Sequence, residues 1–424
     1  MARSGMVVVV GGGVVGLCCA LALERRGVAV TLVDAGPRES AASHVNAGWV
    51  VPSLAEPVPA PGLVGQSLRW MLHPDSPLSI IPRIDPAFLR WLLAFWRSCN
   101  ARSHRAGTES VAALGARTME LYDDLRAAGV AFEEHRDGLL FAYRDGTALG
   151  HDHAGLETLR PFGYPIPPLL SGDEARALEP SLADAIVGGF WLERERSVRP
   201  ESLVSGLLAR LATGGTELRL GETVVSLEAR DGAVRTVVTD RGRIAAEAVV
   251  VAAGAWTPRI VEPLGIRAPV EAGKGYAIDF APPPPLPTPL RRPIYLHEAR
   301  VAITPLDGML RLAGTMELSG LNARIRPERV AALVRRTSEA VRGWPEGIAT
   351  AGPGVRVWVG PRPLTPDGLP LIGWAKGYRN LALATGHSML GVTLAPATAE
   401  AIAELVCGGR TPAEIRPFDP ARFG

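Results

Sequence analysis

The chain begins with two continuous apolar runs separated by a glycine-rich turn and a helical pattern. The first run covers residues 6–10 and leads into a G-x-G-x-x-G motif at residues 11–16. The second run covers residues 28–33 and ends at Asp34. Continuous apolar runs of this length are typical of strands buried on both faces of a sheet. The order strand, glycine turn, helix, strand and acid predicts a βαβ unit that binds a dinucleotide.

Three glycines of this motif have distinct physical roles. Gly11 permits the tight turn, Gly13 allows close approach of the pyrophosphate, and Gly16 allows the helix to pack closely on the strand. The pyrophosphate then lies at the positive end of the helix dipole. The Asp34 carboxylate can accept hydrogen bonds from an adenosine ribose and disfavours a 2′-phosphate, so NADP is not expected. The alternative is a purely structural turn between a strand and a helix.

Further hydrophobic patterns predict the elements of the remaining chain. Helices are predicted over 107–128, from Pro200 to Gly214 and over 327–341, and strands over 138–143, 217–220, 223–227, 234–239, 248–251, 272–280 and 381–383, with a strand pair over 300–315 turning at Asp307-Gly308. Segments of small residues and glycines, like those at the N-terminus, occur again after residue 354. We therefore predict one domain from residues 1–60, 195–262 and 354–424, and an inserted second domain from 61–194 and 263–353.

The stretch from residue 64 to 100 is rich in aromatic and aliphatic side chains, among them Trp70, Trp91 and Trp96. An aromatic stripe at helical spacing is usually part of a packed core. The alternative is that part of this stretch contacts a lipid surface.

Composition and charge exclude several classes of protein. The 424 residues suggest two or three domains, and 45 basic against 43 acidic residues leave a net charge of only +2. Without a basic tract interleaved with aromatic residues, we expect no nucleic-acid partner. Four cysteines without a C-x-x-C pair predict neither a disulfide framework nor a metal site, and indicate a reducing compartment. The N-terminal apolar run is short and no run reaches about 20 residues, so we expect a cytoplasmic protein without a signal peptide or membrane span.

A second glycine junction lies near the C-terminus, at residues 384–393. It follows the strand predicted at 381–383 and precedes an alanine-rich helix, which places a second helix N-terminus at the ligand. A flavin needs such a group, because reduction leaves negative charge at N1 and O2 that N–H groups and a helix dipole stabilise. The junction therefore favours FAD, and the alternative is an ordinary crossover between a strand and a helix.

Arg362 stands in the segment Gly360-Pro361-Arg362-Pro363, which we expect to form a rigid loop. The planar fork of an arginine held in this way suits bidentate binding of a carboxylate. The alternative is an internal salt bridge to a structural acid.

Together with Gly273-Lys274-Gly275-Tyr276, these motifs resemble the glycine-oxidase and D-amino-acid-oxidase superfamily of FAD enzymes, in particular the bacterial D-amino-acid dehydrogenases. The resemblance extends from Val7 to about Pro412 and includes the loop 46–48, Trp70-Met71 and the strand 302–304. It implies an α/β fold. A discontinuous Rossmann-like FAD-binding domain of the glutathione-reductase type would carry an inserted α+β substrate domain built on a mixed sheet.

The resemblance also implies roles for individual residues. The ADP half of FAD would be held by Gly11, Gly13, Val14, Val15, Gly16 and Asp34, the adenine by the main chain of Val224, the ribityl chain and flavin by Ser43, Asn46, Ala47 and Gly48, and the pyrimidine edge by Gly386, His387, Met389, Leu390, Gly391, Val392 and Thr393. Ala253, Gly254 and Gly360 would be further cofactor contacts. Arg362 would bind the substrate carboxylate, with Tyr276 as a second contact. We expect the helix N-terminus to lower the pKa of His387, which favours a hydrogen-bonding role beside the flavin over a role as base.

Two departures from the family bear on how the flavin is held. Relatives that tether flavin through cysteine carry it near position 360, where this chain has glycine. Relatives that tether it through histidine carry it near Val45, and His44 is out of register. We therefore expect noncovalent FAD.

The resulting functional prediction is FAD-dependent oxidative deamination of D-amino acids to 2-oxo acids and ammonia. Hydride would pass from Cα to flavin N5, and no strong base is required if the amine binds neutral. One alternative is an oxidase or dehydrogenase of secondary amines such as glycine, sarcosine, proline or hydroxyproline. Another is a flavin subunit of a multi-chain complex. Quinone or another acceptor would take the electrons, with peripheral contact to the inner face of the cell membrane.

Overall fold

The computed structural model describes residues 6–36, 41–65, 67 and 76–424. The strands are β1 Val7–Val10, β2 Val30–Asp34, β3 Trp49–Val50, β4 Leu78–Ile80, β5 Glu134–His135, β6 Leu139–Tyr143, β7 Leu169–Ser171, β8 Gly188–Leu192, β9 Arg196–Val198, β10 Glu217–Leu220, β11 Val224–Arg230, β12 Ala233–Thr239, β13 Gly242–Ala245, β14 Ala248–Val251, β15 Glu271–Phe280, β16 Ile294–Leu296, β17 Val301–Leu306, β18 Met309–Leu318, β19 Val355–Leu364, β20 Leu371–Trp374 and β21 Leu381–Thr385. The α-helices are α1 Val14–Glu24, α2 Pro86–Ser98, α3 Ala101–Gly115, α4 Thr118–Ala127, α5 Gly146–Gly155, α6 Gly172–Leu178, α7 Pro200–Gly214, α8 Thr257–Val261, α9 Pro327–Ser338 and α10 Gly391–Gly408.

The first layer is a six-stranded sheet of order β10-β2-β1-β14-β21-β20. Its pairs are parallel except for the antiparallel edge pair β20–β21. Helices α1, α7 and α10 share one hydrophobic core with this sheet, and the hairpin strands β11 to β13 cover its other side. Parallel strands covered on both faces explain the unbroken apolar runs of the sequence. The strands come from the beginning, middle and end of the chain, as predicted for a discontinuous dinucleotide-binding unit.

The second layer is a nine-stranded mixed sheet of order β19-β15-β18-β17-β16-β6-β8-β7, with β4 paired to β18. Strands β15, β18 and β19 are long and antiparallel, whereas β16 pairs with β6 in parallel. Helix α9 packs on one face of this sheet through Val330 and Leu333. The α/β class with a mixed second sheet, predicted from the sequence, is confirmed.

Some predicted boundaries are wrong. The single helix expected over 107–128 is two helices, α3 and α4, whose break at Ala116 and Arg117 lets both helices pack against α10. These two helices therefore share the core of the first sheet, although residues 61–194 were assigned to the second domain. Strand β19 lies in the mixed sheet, although residues 354–424 were assigned to the first domain, because it pairs with β15 along its whole length.

The aromatic stretch forms helix α2 in the part that the structure describes. The helix buries Phe88 and Trp91, which agrees with a packed core, but leaves Leu89, Leu93 and Trp96 exposed by 55%, 43% and 58%. Trp70 and Met71 lie outside the described residues. Among the helices that are described, none is both long and apolar enough to cross a bilayer.

Candidate FAD and substrate site

A cavity of about 520 Å³ opens at the carboxyl ends of the first sheet. It is lined by the turn after β1, the end of β2, the loop 41–46, the segment after β14, residues 361–363 and the junction between β21 and α10. In open α/β sheets, ligands bind at this edge because loops and helix N-termini converge there. The sequence motifs 11–16 and 384–393 therefore meet at one cavity.

The β1–α1 turn has the geometry that the glycine motif predicts. Gly11 has a φ of +113°, and a Cβ atom there would lie 2.5 Å from the carbonyl oxygen of Ala252. A Cβ atom on Gly16 would lie 1.9 Å from the carbonyl oxygen of Gly11, so only glycine allows α1 to approach β1 this closely. The Asp34 Oδ2 atom accepts a hydrogen bond of 2.7 Å from the Gly12 amide, which fixes the carboxylate beside the turn.

The loop after β2 folds back over the start of α1. The Val14 amide donates to the Ser43 hydroxyl at 2.9 Å. The Asn46 side chain holds the loop together, because its oxygen accepts from the Gly48 amide at 2.7 Å and its nitrogen donates to two loop carbonyls. Asn46 thus shapes the loop that lines the cavity.

The cavity brings together most of the residues predicted to bind the cofactor. They are Gly11, Gly13, Val14, Val15, Asp34, Ser43, Asn46, Val224, Ala253, Gly254, Gly386, His387, Met389, Gly391 and Val392. Gly16, Ala47, Gly48, Gly360, Leu390 and Thr393 do not line it.

Besides Gly16, three of the residues outside the cavity lining have a structural reason for their identity. A Cβ atom on Gly360 would lie 2.7 Å from the Cβ atom of Val45. The missing side chain of Gly360 therefore makes room for the loop 41–46, which lines the cavity. The Thr393 hydroxyl accepts from the Val51 amide at 3.0 Å and donates to the Trp49 carbonyl, which joins α10 to β3. Gly48 has a φ of +74°, which favours glycine.

Arg362 lies on strand β19, so the expected rigid loop is wrong. Its Nη1 atom donates to the Thr315 carbonyl at 2.7 Å, and the side chain lines the cavity. Within the described part of the chain, no carboxylate lies within salt-bridge distance of this guanidinium, so the alternative of an internal salt bridge is not found. Burial lowers the pKa of Arg362 to about 10, while nearby Tyr295 opposes this lowering. The group is therefore cationic at neutral pH, and the part of the chain that the structure describes supplies no counter-charge to it.

Tyr276 does not reach the cavity, which corrects the prediction of a second substrate contact. Successive side chains of a strand point to opposite faces, and Arg362 packs over its neighbour Gly275. Tyr276 is buried on the other face, where its hydroxyl donates to Glu317 at 3.0 Å. Burial and the Glu317 carboxylate raise the pKa of Tyr276, and Glu317 also pairs with Lys274 at 2.8 Å.

His387 lines the cavity at the end of β21 and is 3% exposed. Its Nε2 atom lies 2.9 Å from the Thr398 hydroxyl on α10. Burial lowers the pKa of His387 to about 3, so the ring is neutral at physiological pH. The direction agrees with the sequence prediction, although the cause is burial, which that prediction did not invoke.

Several cavity residues were missed by sequence reasoning. Glu222, Thr223 and Trp256 line the cavity near Val224 and Gly254, and Ser388 lines it beside His387. Proximity in sequence to predicted contacts was a usable signal for these residues. Thr315, which holds Arg362 through its carbonyl, had no such signal because the contact joins distant strands.

The residues present fit FAD. Two glycine turns leave room for backbone approach to a ligand, the amide-rich starts of α1 and α10 suit negative charge, and Asp34 offers acceptors for ribose hydroxyls. The Ser388 hydroxyl is buried and has no hydrogen-bond partner among the residues that the structure describes, and Ser388 has a φ of +53°. An orphaned polar atom and a strained backbone at one cavity are typical of a binding site.

A parallel sheet with this cavity, joined to a mixed sheet that supplies an arginine without a carboxylate partner among the described residues, fits a flavin-dependent oxidoreductase. The chain matches the family model for FAD dependent oxidoreductases, DAO, over residues 6–405. It is 36% identical over 423 residues to a protein named D-amino acid dehydrogenase from Cereibacter sphaeroides, with 97% of this chain and 94% of the relative covered. The chain belongs to the DAO family of FAD-dependent oxidoreductases, and the predicted FAD cofactor is confirmed.

Solved structures share the fold over nearly the whole chain. Glycine oxidase from Geobacillus kaustophilus aligns with a TM-score of 0.73 at 24% identity and 99% coverage of both chains. L-proline dehydrogenase from P. horikoshii aligns with a TM-score of 0.73 at 20% identity, covering 100% of this chain and 98% of the other. These likenesses show that both sheets belong to the family fold.

The buried neutral state of His387 predicts a pH dependence of stability. The pKa of His387 is about 3 in the folded chain and about 6.5 in the unfolded chain. Below pH 6.5 the unfolded chain therefore binds a proton that the folded chain does not bind. This contribution to stability is present above pH 6.5 and is lost as the pH falls. Between pH 7 and pH 5, this histidine should lower the free energy of unfolding of wild type by about 2 kcal/mol. His387→Gln should lack this part of the decrease. Denaturant unfolding of the FAD-loaded protein at pH 7 and pH 5 measures these free energies of unfolding.

The matched control is His151→Gln on α5, because this histidine is exposed. The control should keep the wild-type difference between the two pH values. An equal difference for His387→Gln and wild type would contradict the assignment of a neutral buried ring.

Proposed function

We propose that this enzyme oxidises D-amino acids to 2-oxo acids and ammonia. The observation that carries the proposal is the Arg362 guanidinium, which is cationic, lines the cofactor cavity and lacks a carboxylate partner among the described residues. A buried cation without a counter-charge is costly unless a ligand supplies the charge. The names of relatives such as the Cereibacter sphaeroides protein support an α-amino acid of the D series as that ligand.

The cofactor residues are proposed to act in two groups. The amides at the start of α1, together with Gly11 and Gly13, would bind the pyrophosphate, and Asp34 would bind the ribose. The first amides of α10 would stabilise negative charge on the ring system. FAD, when bound, supplies the oxidant that accepts two electrons from the substrate Cα–H bond. Gly360 and Val45 offer no side chain for a covalent link, so we propose that FAD is held noncovalently.

The chain's own part in the reaction is binding and orientation. Arg362 would hold the substrate carboxylate through two parallel hydrogen bonds and so aim Cα at the cofactor. His387 is neutral and bonded to Thr398, so it would contribute a fixed hydrogen bond and would not collect the amine proton. The substrate amine would lose its proton on leaving water for the buried site. Loss of the Cα hydrogen with its two bonding electrons would leave a protonated imino acid, which water hydrolyses to the 2-oxo acid and ammonium.

A panel of substrates tests this function directly. The purified enzyme, kept without oxygen, is mixed with matched D- and L-amino acids, and the flavin absorbance is followed. D-Amino acids should bleach the flavin, and their L enantiomers should not. Release of all colour on acid precipitation should accompany this result if FAD is noncovalent.

The same panel includes sarcosine, proline and hydroxyproline as secondary amines. Faster bleaching by these than by any D-amino acid would replace the proposal with a secondary-amine enzyme. No bleaching by any substrate until another subunit is added would indicate a flavin subunit of a complex.

The role of Arg362 predicts a defined loss in Arg362→Ala. A charge-assisted hydrogen bond contributes roughly 1.5–3 kcal/mol, which corresponds to roughly 10- to 150-fold in binding. The variant should lose at least about tenfold in kcat/KM for an amino acid while keeping its FAD. Arg362→Lys should recover only part of the loss, because it keeps the charge but not the fork. Steady-state kinetics with an artificial acceptor measures these values.

The control is the amide of the same substrate, which lacks the carboxylate. The amide should be a poor substrate for wild type and should lose little further in Arg362→Ala. If the substitution reduces turnover of amino acid and amide equally, Arg362 is structural.

We also propose that the electron acceptor is a membrane quinone, reached through peripheral contact by α2. This helix exposes the apolar stripe Leu89, Leu93 and Trp96 beside the exposed cations Arg90 and Arg97. Apolar side chains bordered by arginines suit the interface of an anionic bilayer. Trp91 on the buried side bonds the carbonyl of Leu364 at the end of β19, which puts α2 next to the strand of Arg362.

Substitution of the stripe tests the membrane contact. Leu89→Ser with Leu93→Ser and Trp96→Ser should abolish cosedimentation with anionic vesicles, since the apolar area is lost. Turnover with a water-soluble acceptor should stay unchanged, whereas quinone reduction should fall. The matched control replaces the exposed Leu169 and Val187 by serine. Equal vesicle binding by both variants, or rapid stoichiometric peroxide formation in air, would contradict the proposal.

A further inference from the structure

The Arg362 guanidinium packs against Gly275 of the neighbouring strand β15. In the β15–β19 ladder, Arg362 is paired with Gly273 and Gly360 with Gly275. The Arg362 side chain therefore crosses diagonally over Gly275. A Cβ atom at position 275 would lie 2.5 Å from both Cζ and Nη1 of Arg362 and 2.6 Å from Nη2. The guanidinium occupies the volume that any other residue at 275 would fill.

A β-bulge on the other side of β15 supplies the second contact. Lys274 pairs with Glu317 and Tyr276 with Gly314, so two residues of β18 lie opposite Gly275 alone. One of them, Thr315, has a φ of +56°, which is rare for a β-branched residue. Bulges of this kind redirect backbone groups. Here the redirected Thr315 carbonyl accepts the Nη1 hydrogen bond of 2.7 Å.

The packing against Gly275 and the hydrogen bond to the Thr315 carbonyl together hold the guanidinium in one orientation. Arginine has five N–H donors, of which one is used by Thr315. The strain at Thr315 is unfavourable for folding, and such strain persists mainly at functional sites. The Thr315 Oγ1 atom is also buried and has no hydrogen-bond partner within the described part of the chain, so the hydroxyl does not explain why the strained residue is present.

We propose that Gly275 is a specificity-determining position that sets the orientation of the Arg362 fork and thereby selects substrates with a carboxylate. The missing side chain lets the guanidinium lie against the sheet with one edge on the Thr315 carbonyl and the remaining donors available to the substrate. The inference rests on the proposed carboxylate-binding role of Arg362.

Gly275→Ala in the FAD-loaded enzyme tests the proposal. Gly275 lies outside the left-handed region, and the new methyl group meets the end of a flexible side chain, so the variant should fold. The guanidinium must move by at least several tenths of an ångström, which misaligns the bidentate contact. We expect kcat/KM for a D-amino acid to fall at least tenfold and the value for its amide to change less than twofold. The apparent Kd of propionate, measured from the flavin spectrum, should rise at least fivefold.

Gly273→Ala is a matched control on the same face of the same strand. Its methyl group would meet Leu364 Cδ1 at 2.5 Å and not the arginine. This control should keep the ratio of amino-acid to amide turnover and the affinity for propionate. An equal loss of the ratio in both alanine variants would mean that general disturbance of β15 is responsible, and would overturn the proposal.

The double variant separates this inference from the proposed function. Gly275→Ala should have no further effect on carboxylate discrimination in an Arg362→Ala background, because the group that it displaces is gone. If Arg362→Ala alone leaves discrimination intact, the carboxylate-binding role itself fails. If Arg362→Ala loses discrimination but Gly275→Ala keeps it, the binding role stands and the proposal for Gly275 is refuted.

Discussion

The close packing of α1 on β1 is the constraint on which the rest of the structure depends. The carbonyl of Gly11 occupies the space where a Cβ of Gly16 would lie, so helix and strand are as close as two backbones allow. This approach directs the helix N-terminus at the cavity edge and places α1 against α7 and α10. A wider separation would weaken the shared core and would move the amides that face a pyrophosphate.

The two sheets are joined at the cofactor loop by a buried cation. Arg311 of β18 is fully buried, and its Nε and Nη2 atoms bind the Asp279 carboxylate at 2.6 and 2.8 Å. Its remaining donors reach Glu201 at the start of α7 and the carbonyl of Asn46 in the loop. These carboxylates hold the pKa of Arg311 above its ordinary value. Arg311 has its counter-charges within the protein, whereas Arg362 has none among the described residues, which fits a structural role for the first and a ligand-binding role for the second.

The sequence could locate the parts of the cavity that depend on local chemistry, and it missed the parts that depend on strand pairing. The turn at Gly11 and the second junction at Gly386 follow from residues close in sequence, and the structure brings both to one cavity. Tyr276 was misassigned because the pairing of a strand with its neighbours decides which of its faces meets the cavity. Gly275, one position earlier in the strand, is the residue that contacts Arg362. The bulge at Thr315 is likewise invisible in the sequence, since a register shift is a property of two strands.

The sequence by itself determined the dinucleotide unit, the second glycine junction and several strands of both sheets, because glycine requirements, helix starts and apolar runs act over a few residues. Only the tertiary structure decided that β19 joins the mixed sheet, that α3 and α4 pack with the first sheet, and that Arg362 lies on a strand over Gly275. These features depend on hydrogen bonds and packing between segments far apart in the chain. Local propensity cannot specify such contacts, because the partner and its register are set only when the whole core forms.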